Sequence, residues 1–132
     1  MSKNRILIVE DEESLLKLES ILLTSKGYQV TGVTDGRAAL MEIARNRPDL
    51  VVLDIMLPEV DGFEVCRRIK DDPATRQIPV VMLTAKKSSQ DYAHGVQVGA
   101  DAYLTKPFKS VKVLEVVAEL LRKAAAAGGH HA

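Results

Sequence analysis

Short apolar runs alternate with longer stretches of helical spacing along the whole chain. RILIV (5–9), YQVTGV (28–33), LVVL (50–53), PVVML (79–83) and AYL (102–104) have the length and β-branched character of strands. Between them lie five helical patterns. SLLKLESILLTSKG (14–27) sets leucines and an isoleucine at helical spacing, with Gly27 as a stop. GRAALMEIARN (36–46) ends before Pro48, and DGFEVCRRIKD (61–71) follows the third strand. SQDYAHGVQVG (89–99) carries Gly95 in its interior, which weakens it. SVKVLEVVAELLRK (110–123) places Val113, Leu114, Val117, Leu120 and Leu121 on one face.

Strict alternation predicts an α/β domain whose parallel strands are joined by right-handed crossovers. The first, third and fourth strands are almost purely apolar, as strands covered by helices on both faces require. The pattern sets a domain over residues 3–123. The tail from Ala124 (124–132), AAAAGGHHA, is low in complexity and reads as an appended segment or the start of a linker. His130 and His131 within it read as tag residues rather than metal ligands.

Composition narrows the function. The 132 residues fit one domain, and 46% hydrophobic content allows a sizeable core. The net charge of +0, from 18 basic and 18 acidic residues, gives no electrostatic footprint for nucleic acid. One cysteine, Cys66, excludes an internal disulfide framework and a Cys-rich zinc site. It shares a helical face with Ile69 and reads as a small core hydrophobe. No apolar run is long enough for a membrane-spanning helix. The N-terminal MSKNRILIVE meets acids after one short apolar stretch, unlike a signal peptide. The expected setting is cytoplasmic.

Open parallel sheets bind ligands beyond the carboxyl ends of their strands. There the first strand leads into Glu10, Asp11, Glu12 and Glu13, and the second into Thr34, Asp35 and Gly36. The third leads into Asp54, the fourth into Thr84, Ala85 and Lys86, and the fifth into Thr105, Lys106 and Pro107. Acids brought together repel, so Glu10, Asp11 and Asp54 need a hard cation between them. A small set of oxygen ligands suits Mg²⁺. Asp54, centred by its strand, can act as a nucleophile and form an aspartyl phosphate. Phosphoryl transfer needs chiefly positioning and charge neutralisation. Lys106 supplies a positive charge, and Thr84 supplies a hydroxyl for a phosphoryl oxygen.

These residues carry a family resemblance over about 3–123. ILIVEDE, VVLDIMLPEVDG, VVMLTAK and GADAYLTKPF stand in order at suitable spacing. The chain resembles the receiver domain of bacterial two-component response regulators. The resemblance implies a flavodoxin-like (βα)5 fold with the established strand order 2-1-3-4-5 and helices on both faces. It implies that Asp54 accepts phosphate from a histidine kinase phosphohistidine. Glu10, Asp11, Asp54 and the backbone carbonyl of Met56 would hold Mg²⁺. Lys106 would contact the phosphoryl oxygens, Thr84 and Tyr103 would be the switching pair, and the Lys106–Pro107 bond would be cis. Phosphorylation would alter the surface of the fourth helix, fifth strand and fifth helix. Partners would be a sensor histidine kinase or phosphotransfer protein and a downstream effector, with no nucleic acid bound by this domain. The DIMLP form occurs in transcription-factor regulators that dimerise. Ala102 stands where those carry an acid, and the fifth helix lacks an interior arginine, so a monomer or a weak phosphorylation-dependent dimer is expected. DDPATRQIP (71–79) instead resembles regulators that stand alone or precede signalling-enzyme domains.

Met56 offers no acid or base and would shield the acyl phosphate from water. His94 reads as solvent-facing rather than as a phosphoryl donor. Three other readings compete. A Mg²⁺-dependent phosphoaspartate hydrolase of the haloacid dehalogenase type would carry D-x-D after the first strand, whereas Asp54-Ile55-Met56 follows the third and lacks the second acid. A cofactor-binding flavodoxin-like module would need a phosphate-cradling loop where Glu10–Glu13 stand. A degenerate docking receiver would lack site residues that are all present here.

Overall fold

The fold alternates strand and helix throughout, and the computed structural model describes residues 4–86 and 88–128. The elements are β1 (Arg5–Val9), α1 (Glu13–Thr24), β2 (Gln29–Val33), α2 (Gly36–Arg45), β3 (Leu50–Leu53), α3 (Gly62–Asp71), β4 (Val80–Thr84), α4 (Ser89–Gln97), β5 (Ala102–Thr105) and α5 (Ser110–Gly128). All strand pairs are parallel, in the order β2-β1-β3-β4-β5. This is the α/β, flavodoxin-like order.

Alternation along each strand splits the core in two. Leu7, Val9, Val51, Leu53, Val80 and Met82 face one way, against Ala39 and Ile43 of α2 and Val65, Cys66 and Ile69 of α3. Ile6, Ile8, Leu50, Val52, Val81 and Leu83 face the other way, against Leu23 of α1 and Val113, Val117 and Leu121 of α5. Buried on both faces, the interiors of β1, β3 and β4 need apolar residues at consecutive positions, which is why they read as near-continuous runs between Arg5 at the start of β1 and Thr84 at the end of β4. Asp35, Asp61 and Ser88 cap α2, α3 and α4 by accepting the backbone N–H of Ala38, Glu64 and Asp91.

Three features differ from the sequence reading. Thr84 and Thr105 close β4 and β5 rather than following them. α5 runs beyond Lys123 through Ala124–Ala127 to Gly128. Alanine has the highest helix propensity, so a low-complexity alanine run extends a helix already nucleated on the core. Lys3, His130 and His131 lie outside the described residues. In α1 the apolar spacing misled: Leu18 and Ile21 are exposed, while Glu19 is buried. The face turned to the sheet carries Leu16, Glu19 and Leu23, so one acid occupies a core position.

Candidate functional site

Backbone hydrogen bonds carry the parallel ladder one residue past three strands. The Glu10 N–H donates to the Val33 carbonyl at 3.0 Å, and the Asp54 N–H to the Val9 carbonyl at 3.0 Å. The Lys106 N–H donates to the Thr84 carbonyl at 2.7 Å. These residues therefore start from fixed backbone positions. Carboxylate oxygens of Glu10, Asp11 and Asp54 lie within 4.8 Å of one another. Glu10 and Asp54 are buried, and Asp11 is exposed.

Lys106 reaches between two of the acids. Its Nζ donates to Glu10 Oε1 at 2.7 Å and to Asp54 Oδ2 at 3.0 Å. Burial pulls its pKa down, but these two hydrogen bonds and the negative charges of Asp54 and Glu10 together hold it above the usual lysine value. Burial pushes the Glu10 carboxyl up, against the lowering effect of Lys106, and the negative charge of Asp54 adds to the rise. One ammonium thus pairs with two of three clustered carboxylates, and acids outnumber the lysine.

Glu19 is the residue that sequence reasoning missed. It is 2% exposed, and its Oε2 has no hydrogen-bond partner. Burial first, and then the charges of Glu10 and Asp54, push its pKa up to about 8. The signal was its place between Leu16 and Leu23 at helical spacing.

The remaining residues surround this cluster. Thr84 is fully buried, and its Oγ1 accepts the Lys86 N–H at 3.3 Å. Tyr103 is half-buried on β5, and its hydroxyl donates to the Lys86 carbonyl at 2.9 Å. A Cβ at Gly95 would meet the Tyr103 ring at 2.8 Å, so this glycine allows α4 to approach β5 closely. The Met56 N–H donates to Asp54 Oδ1 at 3.2 Å, while its side chain is 59% exposed. That side chain, with Leu57, Phe63 and Lys86, lines a hollow beside the acids. A Cβ at Gly62 would meet the Asp54 carbonyl at 2.1 Å, so only glycine lets α3 start this close to the strand end. The Lys106–Pro107 peptide is cis. Cys66 is fully buried, and burial pushes its thiol up to about 12. His94 is exposed and lies outside the cluster, its ring stacked on Phe63.

Three carboxylates facing one ammonium, with a hydroxyl beside them, can hold a hard divalent cation and receive an anionic phosphoryl group. Among the described residues, no helix is long and apolar enough to cross a membrane.

Comparison with known proteins gives a consistent picture. The family model described as "Response regulator receiver domain" matches residues 6–118. Response regulator PleD of Caulobacter vibrioides is 45% identical over 118 residues, which cover 89% of this chain and 26% of that protein. The DNA-binding dual master transcriptional regulator RpaA of Synechocystis sp. is 46% identical over 119 residues, covering 90% of this chain and 49% of that protein. The chain thus spans between about a quarter and a half of these relatives. The crystal structure of a CheY-like response regulator receiver domain protein from Methanospirillum hungatei superposes with a TM-score of 0.91 at 28% identity, covering 96% of this chain and 100% of that one.

Proposed function

The chain belongs to the response regulator receiver domain family, and from that premise we propose that it is a phosphorylatable switch whose acceptor is Asp54. The donor is the phosphohistidine of a sensor histidine kinase or a phosphotransfer protein. In the transfer, an Asp54 carboxylate oxygen bonds to phosphorus as the P–N bond breaks, and the bonding pair leaves with the imidazole nitrogen. The product is an acyl phosphate on Asp54. Lys106 offsets the charge of the incoming phosphoryl oxygens, and the Thr84 hydroxyl donates to one of them.

The observation that carries this reading is the charge excess: Glu10, Asp11 and Asp54 bring carboxylate oxygens within 4.8 Å of one another, with one lysine bonded to two of them. Such a donor set fits Mg²⁺. Glu10, Asp11 and Asp54, with the Met56 carbonyl that the family adds, would hold it. When bound, Mg²⁺ supplies charge neutralisation for phosphoryl transfer. Thr84 and Tyr103 form the switching pair, which alters the α4–β5–α5 surface. A downstream effector reads that surface, in a cytoplasmic, bacterial setting. The domain itself contacts no nucleic acid and works as a monomer or weak dimer. It turns over no substrate beyond its own acyl phosphate.

The test is incubation with acetyl phosphate and Mg²⁺, followed by intact mass. One phosphoryl group should be gained, acid-stable and base-labile, and Asp54→Ala should gain none. Steady hydrolysis of small phosphate esters would instead identify a phosphoaspartate hydrolase.

A further inference from the structure

α4 is docked unlike its neighbours. α1, α2, α3 and α5 each bury at least one apolar side chain in the core, but the buried residue of α4 is Gly95. A short helix with so little buried apolar surface needs other fastenings. On one flank the Tyr103 ring fills the space at Gly95, and Tyr92 meets Tyr103 edge-on at 5.6 Å. On the other flank the His94 ring stacks on Phe63 of α3, with centroids 3.9 Å apart and planes 21° from parallel. α4 is therefore pinned by aromatic contacts on both sides. The Tyr103 pin belongs to the switching pair. The His94 pin lies across the α3–α4 cleft, and Phe63 also lines the hollow beside the acids.

We propose that the Phe63–His94 stack is a latch that holds α4 against α3 and sets how readily α4 shifts on activation. The proposal rests on the reading of the chain as a phosphorylatable switch, because the shift that the latch resists is the one expected from phosphorylation. Phe63 and His94 are positioning residues that take no part in the transfer chemistry. A partly exposed stack suits this task. Its contribution is small enough to be broken by a few new hydrogen bonds at Thr84, yet large enough to set a population.

Amide hydrogen exchange on the full chain tests the latch without any phosphoryl donor. Phe63→Leu and His94→Ala should each speed exchange of the α4 amides about three- to tenfold, the range of one aromatic pair, with α5 unchanged. The double variant should exchange no faster than the faster single one, because both remove the same contact. His94→Phe should restore the wild-type rate. His94 is exposed, so its variants fold even where Phe63→Leu does not. Unchanged α4 exchange in His94→Ala, or additive effects in the double variant, overturns the latch. A second arm adds beryllofluoride and Mg²⁺ as a phosphoryl mimic. The latch variants should reach the shifted α4 at lower beryllofluoride concentration. If beryllofluoride moves α4 in no variant while the exchange pattern holds, the switch reading fails and the mechanical latch stands. Equal midpoints in all variants overturn the latch's role in switching.

Discussion

Each end of the sheet sets a lysine beside carboxylate, balanced at one end and outnumbered by acids at the other. At the amino end, the Lys70 Nζ donates to the Asp101 carboxylate at 2.9 Å and to the Ile78 carbonyl at 2.7 Å. Asp101 also accepts the Val80 N–H at 2.8 Å. One positive charge meets one negative charge, and the donors around them find acceptors. At the carboxyl end, Lys106 meets Glu10 and Asp54, with Asp11 alongside and Glu19 acting on the same groups. The balanced end ties α3, β4 and β5 together and asks for nothing more. The unbalanced end carries an excess of acid over its one lysine, which on the proposed reading a bound cation would offset. A lysine–carboxylate contact alone therefore says nothing about function; the excess charge around it does.

The largest effect should separate chemistry from stability at the unbalanced end. Asp54→Asn should reduce phosphoryl uptake to background in the intact-mass assay. Its urea midpoint should stay level or rise, because an acid leaves a cluster that has one ammonium. A marked fall in the midpoint would mean that the cluster is a structural ion-pair network like the amino end.

Glu19 sharpens the comparison through pH. Its folded pKa of about 8 lies above the usual 4.5. Where the folded state holds a proton that the unfolded chain has lost, stability falls as pH rises. The contribution of Glu19 is thus fully present below about 4.5 and is lost progressively as pH rises to about 8. Glu19→Leu removes this loss and should stabilise the protein at pH 8 by on the order of 2–4 kcal/mol relative to pH 5. Urea unfolding at the two pH values checks it. Parallel pH dependence in the variant and the wild type would show that Glu19 is solvated after all.

The amino end should respond in the opposite sense. Asp101→Ala leaves the Val80 N–H without its acceptor and Lys70 without its counter-charge. It should cost about 1–3 kcal/mol of stability and leave phosphoryl uptake unchanged.

The strand ends show how much of this was legible in the sequence. The runs at 5–9, 50–53, 79–83 and 102–104 read as parallel strands, so the residues that follow them share one edge. Glu10, Asp54 and Lys106 stand there because topology puts them there. The family resemblance supplied what periodicity could not: the strand order and the cis peptide, both present in the structure, and the expectation that Thr84 and Tyr103 switch together. Glu19 escaped because a pattern of leucines suggests an apolar face without fixing which turn of the helix meets the sheet. Lys70 and Asp101 escaped because they are 31 residues apart, and only the fold joins α3 to the start of β5. The α5 extension escaped because composition marked the alanines as a tail, whereas their propensity makes them helical.

The smallest effect concerns Met56, where the unbalanced end meets solvent. Shielding by this side chain would slow the attack of water on the acyl phosphate. At 59% exposed, however, the side chain covers the cluster only in part. Its fixed contribution is through the backbone, where the Met56 N–H donates to Asp54 Oδ1 at 3.2 Å, a contact that any residue but proline can make. Met56→Asn should therefore leave phosphoryl uptake intact and change only the lifetime of the product. An amide can hydrogen-bond the attacking water where a thioether cannot. One such weak bond, worth about 0.5–1 kcal/mol, corresponds to a lifetime shorter by a factor of about two to five. The decay of the phosphorylated mass after removal of acetyl phosphate measures it directly. An unchanged lifetime would show that Met56 does not control water access. A lifetime shorter by a hundredfold would mean that the side chain folds over the acyl phosphate once it forms, so that even the solvent-facing rim of the unbalanced end closes on its ligand.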